Sequence, residues 1–307
     1  MVSVNMAVDL GGIRMKNPLN TASGTFGYGW QFEGFFDVAT LGAITTKGCS
    51  AEPWQGNPAP RMCETASGVM NSVGLQNPGV RGFVEQDGAY LQGLAARGCQ
   101  VICQVAGHSV EEYVAALELY EELADFQAGY EINVSCPNIA QGGAAMGSTP
   151  EGAAEVMRAL RPRTSRPIVV KMAPVRVPDI ACALEAEGAD ALALINTIPA
   201  MSIDIERRRS RLSRPTAGLS GPAIHPIAVR MVWEAHNAVK IPLCGIGGVQ
   251  SGADAAEFIL AGATAVSIGT ANLYDPACAP RILAELEVWA ERQGVADINE
   301  LIGALEC

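Results

Sequence analysis

Short, nearly uninterrupted apolar runs recur along the chain: Asn17 to Ser23, Leu41 to Lys47, Gln100 to Ala106, Tyr130 to Ser135, Pro167 to Met172, Ala191 to Asn196, Ile241 to Ile246 and Ala265 to Ile268. Helical patterns fall between them: Gln31 to Thr40, Val80 to Arg97, Ser109 to about Phe126, Pro150 to Leu160, Pro178 to Glu187, Pro222 to Ala238, Ser251 to Leu260 and Cys278 to Arg292. Ser109 with Glu112 three residues on forms a capping box, and Pro150 suits a first helical turn. Strands alternating with helices over about 250 residues predict a parallel sheet closed as a (β/α)₈ TIM barrel. The expectation is a single domain, 1–307, with loop insertions on the active face. Cys49 to Pro78 and Ile198 to Ser220 read as irregular insertions, which inside a compact domain are usually functional. A doubly wound open sheet would place a glycine fingerprint after its first strand. Here the glycine clusters follow the seventh and eighth.

A hydrophobic content of 49% suits a sheet buried under helices. The formal net charge of −11 argues against nucleic acid or an anionic membrane surface as a partner, though a locally basic pocket remains compatible with an anionic substrate. Nine cysteines, an odd count without a C-x-x-C pair, fit a reduced cytoplasmic protein with mostly buried thiols. Neither a signal peptide at Met1 to Leu10 nor a membrane-spanning apolar run is expected.

The fourth strand runs into Glu131-Ile-Asn-Val-Ser-Cys-Pro-Asn138, where Pro137 ends any ladder, and the glycine-rich Ile139 to Ser148 reads as a mobile loop. A thiol at a strand's C-terminal end occupies the position where such barrels keep their chemistry, yet a free cysteine is as often a small buried hydrophobe. Gly245-Ile-Gly-Gly248 before the Ser251 helix, and Gly269-Thr270, suit a phosphate group. Ordinary turn glycines are the alternative. Lys47 and Lys171 end strands. Lys171 could serve as a Schiff-base amine, a phosphate contact, a cation beside a cofactor, or a surface residue. Asn71, Asn133, Asn138 and Asn196 fall on one predicted face and suit a planar heterocycle, although a single asparagine is more often a turn residue. Arg207 to Arg211 reads as a solvated face with subunit contact as the other possibility. His108, His225 and His236 show no matching carboxylate spacing. Trp30 and Trp54 are loop anchors that could cover a ligand. No metal site is expected.

From Leu10-Gly-Gly-Ile-Arg-Met-Lys-Asn-Pro18 to Ser267-Ile-Gly-Thr270 the chain resembles the soluble class of dihydroorotate dehydrogenases, FMN-binding barrels of pyrimidine synthesis. The shared motifs are Thr21-Ala-Ser-Gly-Thr-Phe-Gly27, Thr45-Thr-Lys-Gly48, Asn71-Ser-Val-Gly-Leu-Gln-Asn-Pro78, Asn133-Val-Ser-Cys-Pro-Asn138, Ile195-Asn-Thr197, Gly218-Leu-Ser-Gly-Pro222 and Gly245-Ile-Gly-Gly248. The resemblance implies that Cys136 is the base taking the C5 proton of dihydroorotate while C6 gives hydride to N5 of FMN. Membrane-linked relatives carry serine there. It implies a substrate site of Lys47, Asn71, Ser72, Val73, Gly74, Leu75, Asn133, Asn138, Asn196 and Thr197. It implies cofactor contacts from Ala22, Ser23, Thr46, Lys47, Gly48, Gln104, Asn133, Lys171, Ile195, Gly221, Gly247, Gly248, Gly269 and Thr270, the last four around the phosphate. Gln104 stands where the family commonly has asparagine. An unperturbed thiol deprotonates near pH 8.5, so a Cys base works best under alkaline conditions.

Within the soluble class, Ile198 to Arg214 and Gly218 to Val229 look more like the NAD-linked type. That type implies a homodimer of this chain joined by an FAD/[2Fe–2S] electron-transfer subunit as a heterotetramer. The alternatives are a fumarate-linked homodimer, a pyrimidine-reducing relative, a Schiff-base aldolase using Lys171, and a non-catalytic barrel.

Overall fold

The computed structural model describes residues 4–135 and 146–306. Eight strands form one sheet: β1 (Leu19–Thr21), β2 (Ala43–Thr45), β3 (Gln100–Val105), β4 (Gly129–Asn133), β5 (Ile168–Lys171), β6 (Ala191–Leu194), β7 (Leu243–Ile246) and β8 (Ala265–Ile268). Each pairs in parallel with the next from β2 to β8, β6 with β7 across the insertion between them, and β8 returns to β1. The seam between β1 and β2 lacks a ladder. It is closed by Gly42 N–H donating to Leu19 O at 3.1 Å and by the Asn20 amide donating to Thr45 Oγ1 at 2.9 Å. This is the expected TIM barrel.

Helices Gly79–Ala96, Val110–Leu123, Pro150–Leu160, Val177–Ala186, His225–His236, Gly252–Leu260 and Cys278–Gln293 cover the sheet, within a residue or two of expectation for most. Apolar side chains from strands and helices form one continuous buried core. Ser109 Oγ accepts from Glu112 N–H, but the Glu112 carboxylate accepts from His108 N–H instead of closing the box. The expected Gln31–Thr40 helix is two 3₁₀ turns, Trp30–Phe32 and Val38–Thr40. The Asp37 carboxylate accepts from Ala39 N–H at 2.8 Å and so starts a new turn where the helix would have continued.

Two further corrections concern the insertions, which are not irregular. Ile198–Ala200, Ala217–Ser220, Gly68–Asn71 and Met62–Thr65 pair in that order as a four-stranded antiparallel sheet. Its central pairing, Gly218 with Asn71, joins segments far apart in sequence, which no local periodicity signals. An N-terminal hairpin, Val8–Leu10 with Ile13–Met15, turns through Gly11 (φ +64°) and Gly12 (φ +98°). Gly11 packs on Asp190, and Ile13 on Gly129, so the hairpin closes the barrel end opposite the active face. No described helix is long and apolar enough to cross a membrane. The seven described cysteines are all free.

Candidate active site

Strand parity sets the site. In a parallel ladder, paired residues share a face. Asn133 pairs with Lys171, Gln104 with Glu131 and Asn20 with Ser267. All six are buried, so the barrel interior toward its C-terminal end is lined by polar side chains. The Lys171 side chain is only 8% exposed and that of Glu131 4%, and Lys171 Nζ lies 4.0 Å from Glu131 Oε1. The Gln104 amide donates to that same oxygen. Lys171 is therefore a held, buried cation and not a surface lysine. On its other side the Gln104 carboxamide meets Gly48, where a Cβ would lie 2.4 Å from Oε1.

Above this layer the asparagines gather. Ser135 Oγ donates to Asn133 Oδ1 at 2.7 Å. The Asn196 amide donates to Ser135 Oγ and reaches within 3.5 Å of Asn133 Oδ1. Asn196 N–H donates to Met172 O at 2.9 Å, and Tyr113 O–H donates to Asn133 O at 2.5 Å, so backbone bonds fix both asparagines. Thr197 packs on Gly218, where a Cβ would sit 2.0 Å from Thr197 Oγ1, and Gly218 pairs with Asn71. The insertion sheet thereby ties Asn71 and Thr197 together. Ser72 to Leu75 form a turn hung on that sheet: Asn57 N–H donates to Val73 O, and Gly74 and Leu75 have φ of +74° and +54°. Ser72 Oγ is buried without a hydrogen-bond partner.

A second cluster assembles from the glycines. Gly221 (φ +99°) approaches the backbone of Gly68, and a Cβ on Gly248 (φ +71°) would lie 2.8 Å from Gly221 O. Thr270 Oγ1 donates to Ser220 Oγ at 2.8 Å. Ala22 N–H donates to Ile268 O at 2.9 Å, which sets Ala22 beside Gly269. The next helix opens with a full capping box between Ser251 and Asp254. His225 Nδ1 lies 2.8 Å from Gly247 O, while Nε2 faces Glu257 at 3.5 Å and Asp254 at 3.9 Å. The sequence pairing of His225 with no carboxylate is corrected: the carboxylates come from the neighbouring helix. Backbone amides at glycines before a capped helix make the cradle a phosphate needs.

Lys47 is half-buried, with its N–H donating to Gly27 O at 2.8 Å. Ser23, Thr46 and Ile195 are buried at the same strand ends. Trp54 stacks on His108 at 3.8 Å, and Trp30 donates to Asp87, so both serve as loop anchors. Cys136, Asn138 and most of the Ile139 to Ser148 loop lie outside the described residues. Sequence reasoning missed Glu131, Ser135 and Ser220 as working polar residues. For Glu131 a signal existed, since it lies two residues before Asn133 and so shares its face.

The dihydroorotate dehydrogenase family model matches residues 5–289. The chain is 48% identical over 311 residues to the catalytic subunit of dihydroorotate dehydrogenase B (NAD(+)) of Geobacter sulfurreducens, covering 100% of both. It is 46% identical to the protein of the same description from Lachnoclostridium phytofermentans, covering 99% of this chain and 100% of the relative. Its fold matches the crystal structure of dihydroorotate dehydrogenase from Eimeria tenella, in complex with ferulenol, with a TM-score of 0.79 and 20% identity over 98% of this chain and 88% of that one. By sequence over nearly its whole length, with the barrel fold in agreement, the chain belongs to the dihydroorotate dehydrogenase family.

Proposed function

We propose that this protein oxidises (S)-dihydroorotate to orotate in pyrimidine synthesis and passes the electrons through a partner subunit to NAD⁺. The observation that carries the reading is the convergence, at one end of one barrel, of the Asn133 and Asn196 amides joined through the Ser135 hydroxyl, the glycine cradle and the buried Lys171. These residues fit FMN. Gly221 and Gly248, whose positive φ and close backbone packing exclude a side chain, can turn backbone amides toward a phosphate beside the Thr270 hydroxyl, and Lys171 offers a fixed cation. When bound, FMN supplies the acceptor for the hydride that leaves C6.

The chain's own residues do the rest. Cys136, directly after Ser135 in the chain, takes the C5 proton, and the C5–H electron pair becomes the C5=C6 double bond as the hydride departs. Asn71, Asn133, Asn138, Asn196 and Thr197 hold the ring and its carboxylate, with Lys47 beside them. Amides suit a ring edge of alternating carbonyl and N–H groups, because each offers both a donor and an acceptor. The tie between Asn133 and Asn196 pre-organises the clamp, so less order is lost on binding.

The NAD-linked assignment places FAD and a [2Fe–2S] cluster on the partner, with two copies of this chain in a heterotetramer. Among the described residues, the one group with metal-ligand spacing is His225, Asp254 and Glu257, which is no ligand set for an iron–sulfur cluster. The free cysteines support a reducing, cytoplasmic setting.

The test is to purify the chain, record its visible spectrum, and assay dihydroorotate with a dye acceptor. Bound FMN and dye reduction are expected. Cys136→Ala should keep the yellow cofactor and lose roughly 10²–10⁴ in rate, the usual contribution of a general base. Colourless protein would refute the cofactor assignment, and wild-type turnover in the variant would refute the base.

A further inference from the structure

We infer that Glu131 is a positioning residue that sets the charge presented to the cofactor pocket by acting through Lys171. The inference rests on the reading that Lys171 faces the bound flavin. Glu131 itself lies one inward layer deeper than Lys171, because it pairs with Val169, two residues before that lysine. It is among the most buried charged side chains described, at 4% exposure, and it touches neither the asparagine cluster nor the glycine cradle through any hydrogen bond described above.

A carboxylate at that depth is costly unless paired, and its two partners are specific. Lys171 Nζ stands 4.0 Å away, on the adjacent strand. The Gln104 amide, from the strand on the other side, donates to the same Oε1. Gln104 is fixed in turn: its N–H donates to Thr46 Oγ1 at 3.3 Å, its carbonyl accepts from Cys49 N–H at 3.0 Å, and Gly48 closes against its side chain. Glutamine here reaches the carboxylate across one strand spacing. The oxygen that holds Lys171 is thus itself held from β3.

Two consequences follow. The pair sets where the ammonium sits, since Lys171 is drawn down toward β4. It also sets how much positive charge a group above feels, since an anion lies directly behind the cation in a low-dielectric interior. A reduced flavin carries negative charge at its pyrimidine end, so the carboxylate should restrain its stabilisation by Lys171. Glu131 therefore acts on electron affinity and not on proton removal.

Glu131→Gln keeps the side chain's shape and removes its charge. The full chain with FMN bound is equilibrated with a reference dye, and the ratio of reduced to oxidised flavin is read at a fixed dye ratio. That ratio should rise about tenfold in the variant, which is about 30 mV for a two-electron couple. In a Lys171→Met background the same substitution should change the ratio less than about twofold, because the carboxylate acts on the pocket through the Lys171 ammonium. Glu131→Asp, which keeps the charge but withdraws it by one methylene, should give a smaller rise of about threefold and remains readable if the glutamine variant does not fold. An unchanged ratio in FMN-loaded Glu131→Gln or Glu131→Asp overturns the inference. So does an equal rise with and without Lys171. A variant that only melts earlier or binds less FMN, with the ratio unmoved, shows Glu131 to be purely structural and also overturns it. Wild-type chain purified without FMN defeats the flavin reading itself, a separate and recognisable failure.

Discussion

Lys171 and Glu131 show how much one residue's neighbours decide. The sequence marks Lys171 as a cation at a strand end and leaves four roles open. The distance to Glu131 narrows them to a fixed charge. Gly218 is similarly sharpened. Its Cβ would fall 2.0 Å from Thr197 Oγ1, so Gly218→Ala should displace Thr197 and raise KM for dihydroorotate roughly tenfold with FMN still bound, an effect within the usual range for overpacking. Steady-state kinetics on flavin-replete protein checks this, and an unchanged KM would remove Thr197 from the clamp. The buried thiols give a pH prediction. Burial pushes Cys99 and Cys244 up to about 12, and Cys49 and Cys278 up to about 11. Their stabilising preference for the protonated fold is fully present below pH 9 and is lost as pH rises from 9 through 12, because the unfolded chain releases those protons first. The urea midpoint should fall between about pH 8 and about pH 10.5, and less steeply in Cys244→Ala.

Among the elements, the connection from β7 into its helix contributes Gly247 and Gly248 to the proposed cradle. Gly248 is left-handed at φ +71° and touches Gly221 O, so Gly248→Ala meets both backbone strain and a clash. FMN affinity should drop at least about fivefold, given a strain of about 1–3 kcal/mol, while the barrel remains folded. Flavin release followed by fluorescence, with circular dichroism as the fold control, distinguishes the two. The insertion sheet makes the complementary point. Met62–Thr65 and Gly68–Asn71 read as loop because a short hairpin has little period of its own, and its partner Ala217–Ser220 comes from the other insertion. Such a pairing exists only once the barrel has brought the two loops to one face. His225 found its carboxylates in the same way, from the helix that follows β7.

For the whole molecule, the arrangement of strands in chain order puts every C-terminal strand end on one face, so residues scattered from Ala22 to Thr270 meet there. The N-terminal hairpin packs across the opposite end, against Asp190 and Gly129. The proposed division of labour predicts that the purified chain reduces a dye with dihydroorotate but passes electrons to NAD⁺ only when the partner subunit is added. NAD⁺ reduction by this chain alone would count against the partner.

The barrel is legible in the chain's own pattern, because apolar runs at regular intervals are buried as parallel strands under helices, and eight such units close a ring. The sequence also determined the family, through motifs that keep particular residue types at strand ends. What the tertiary structure alone decided was partnership: that Lys171 answers to Glu131, that Gln104 turns into the barrel, and that Asn71 and Thr197 share a sheet. Local patterns register which face a side chain takes. They carry no information on which residue lies across a gap of tens or hundreds of positions, and it is across such gaps that the buried charges and amides of this site are satisfied.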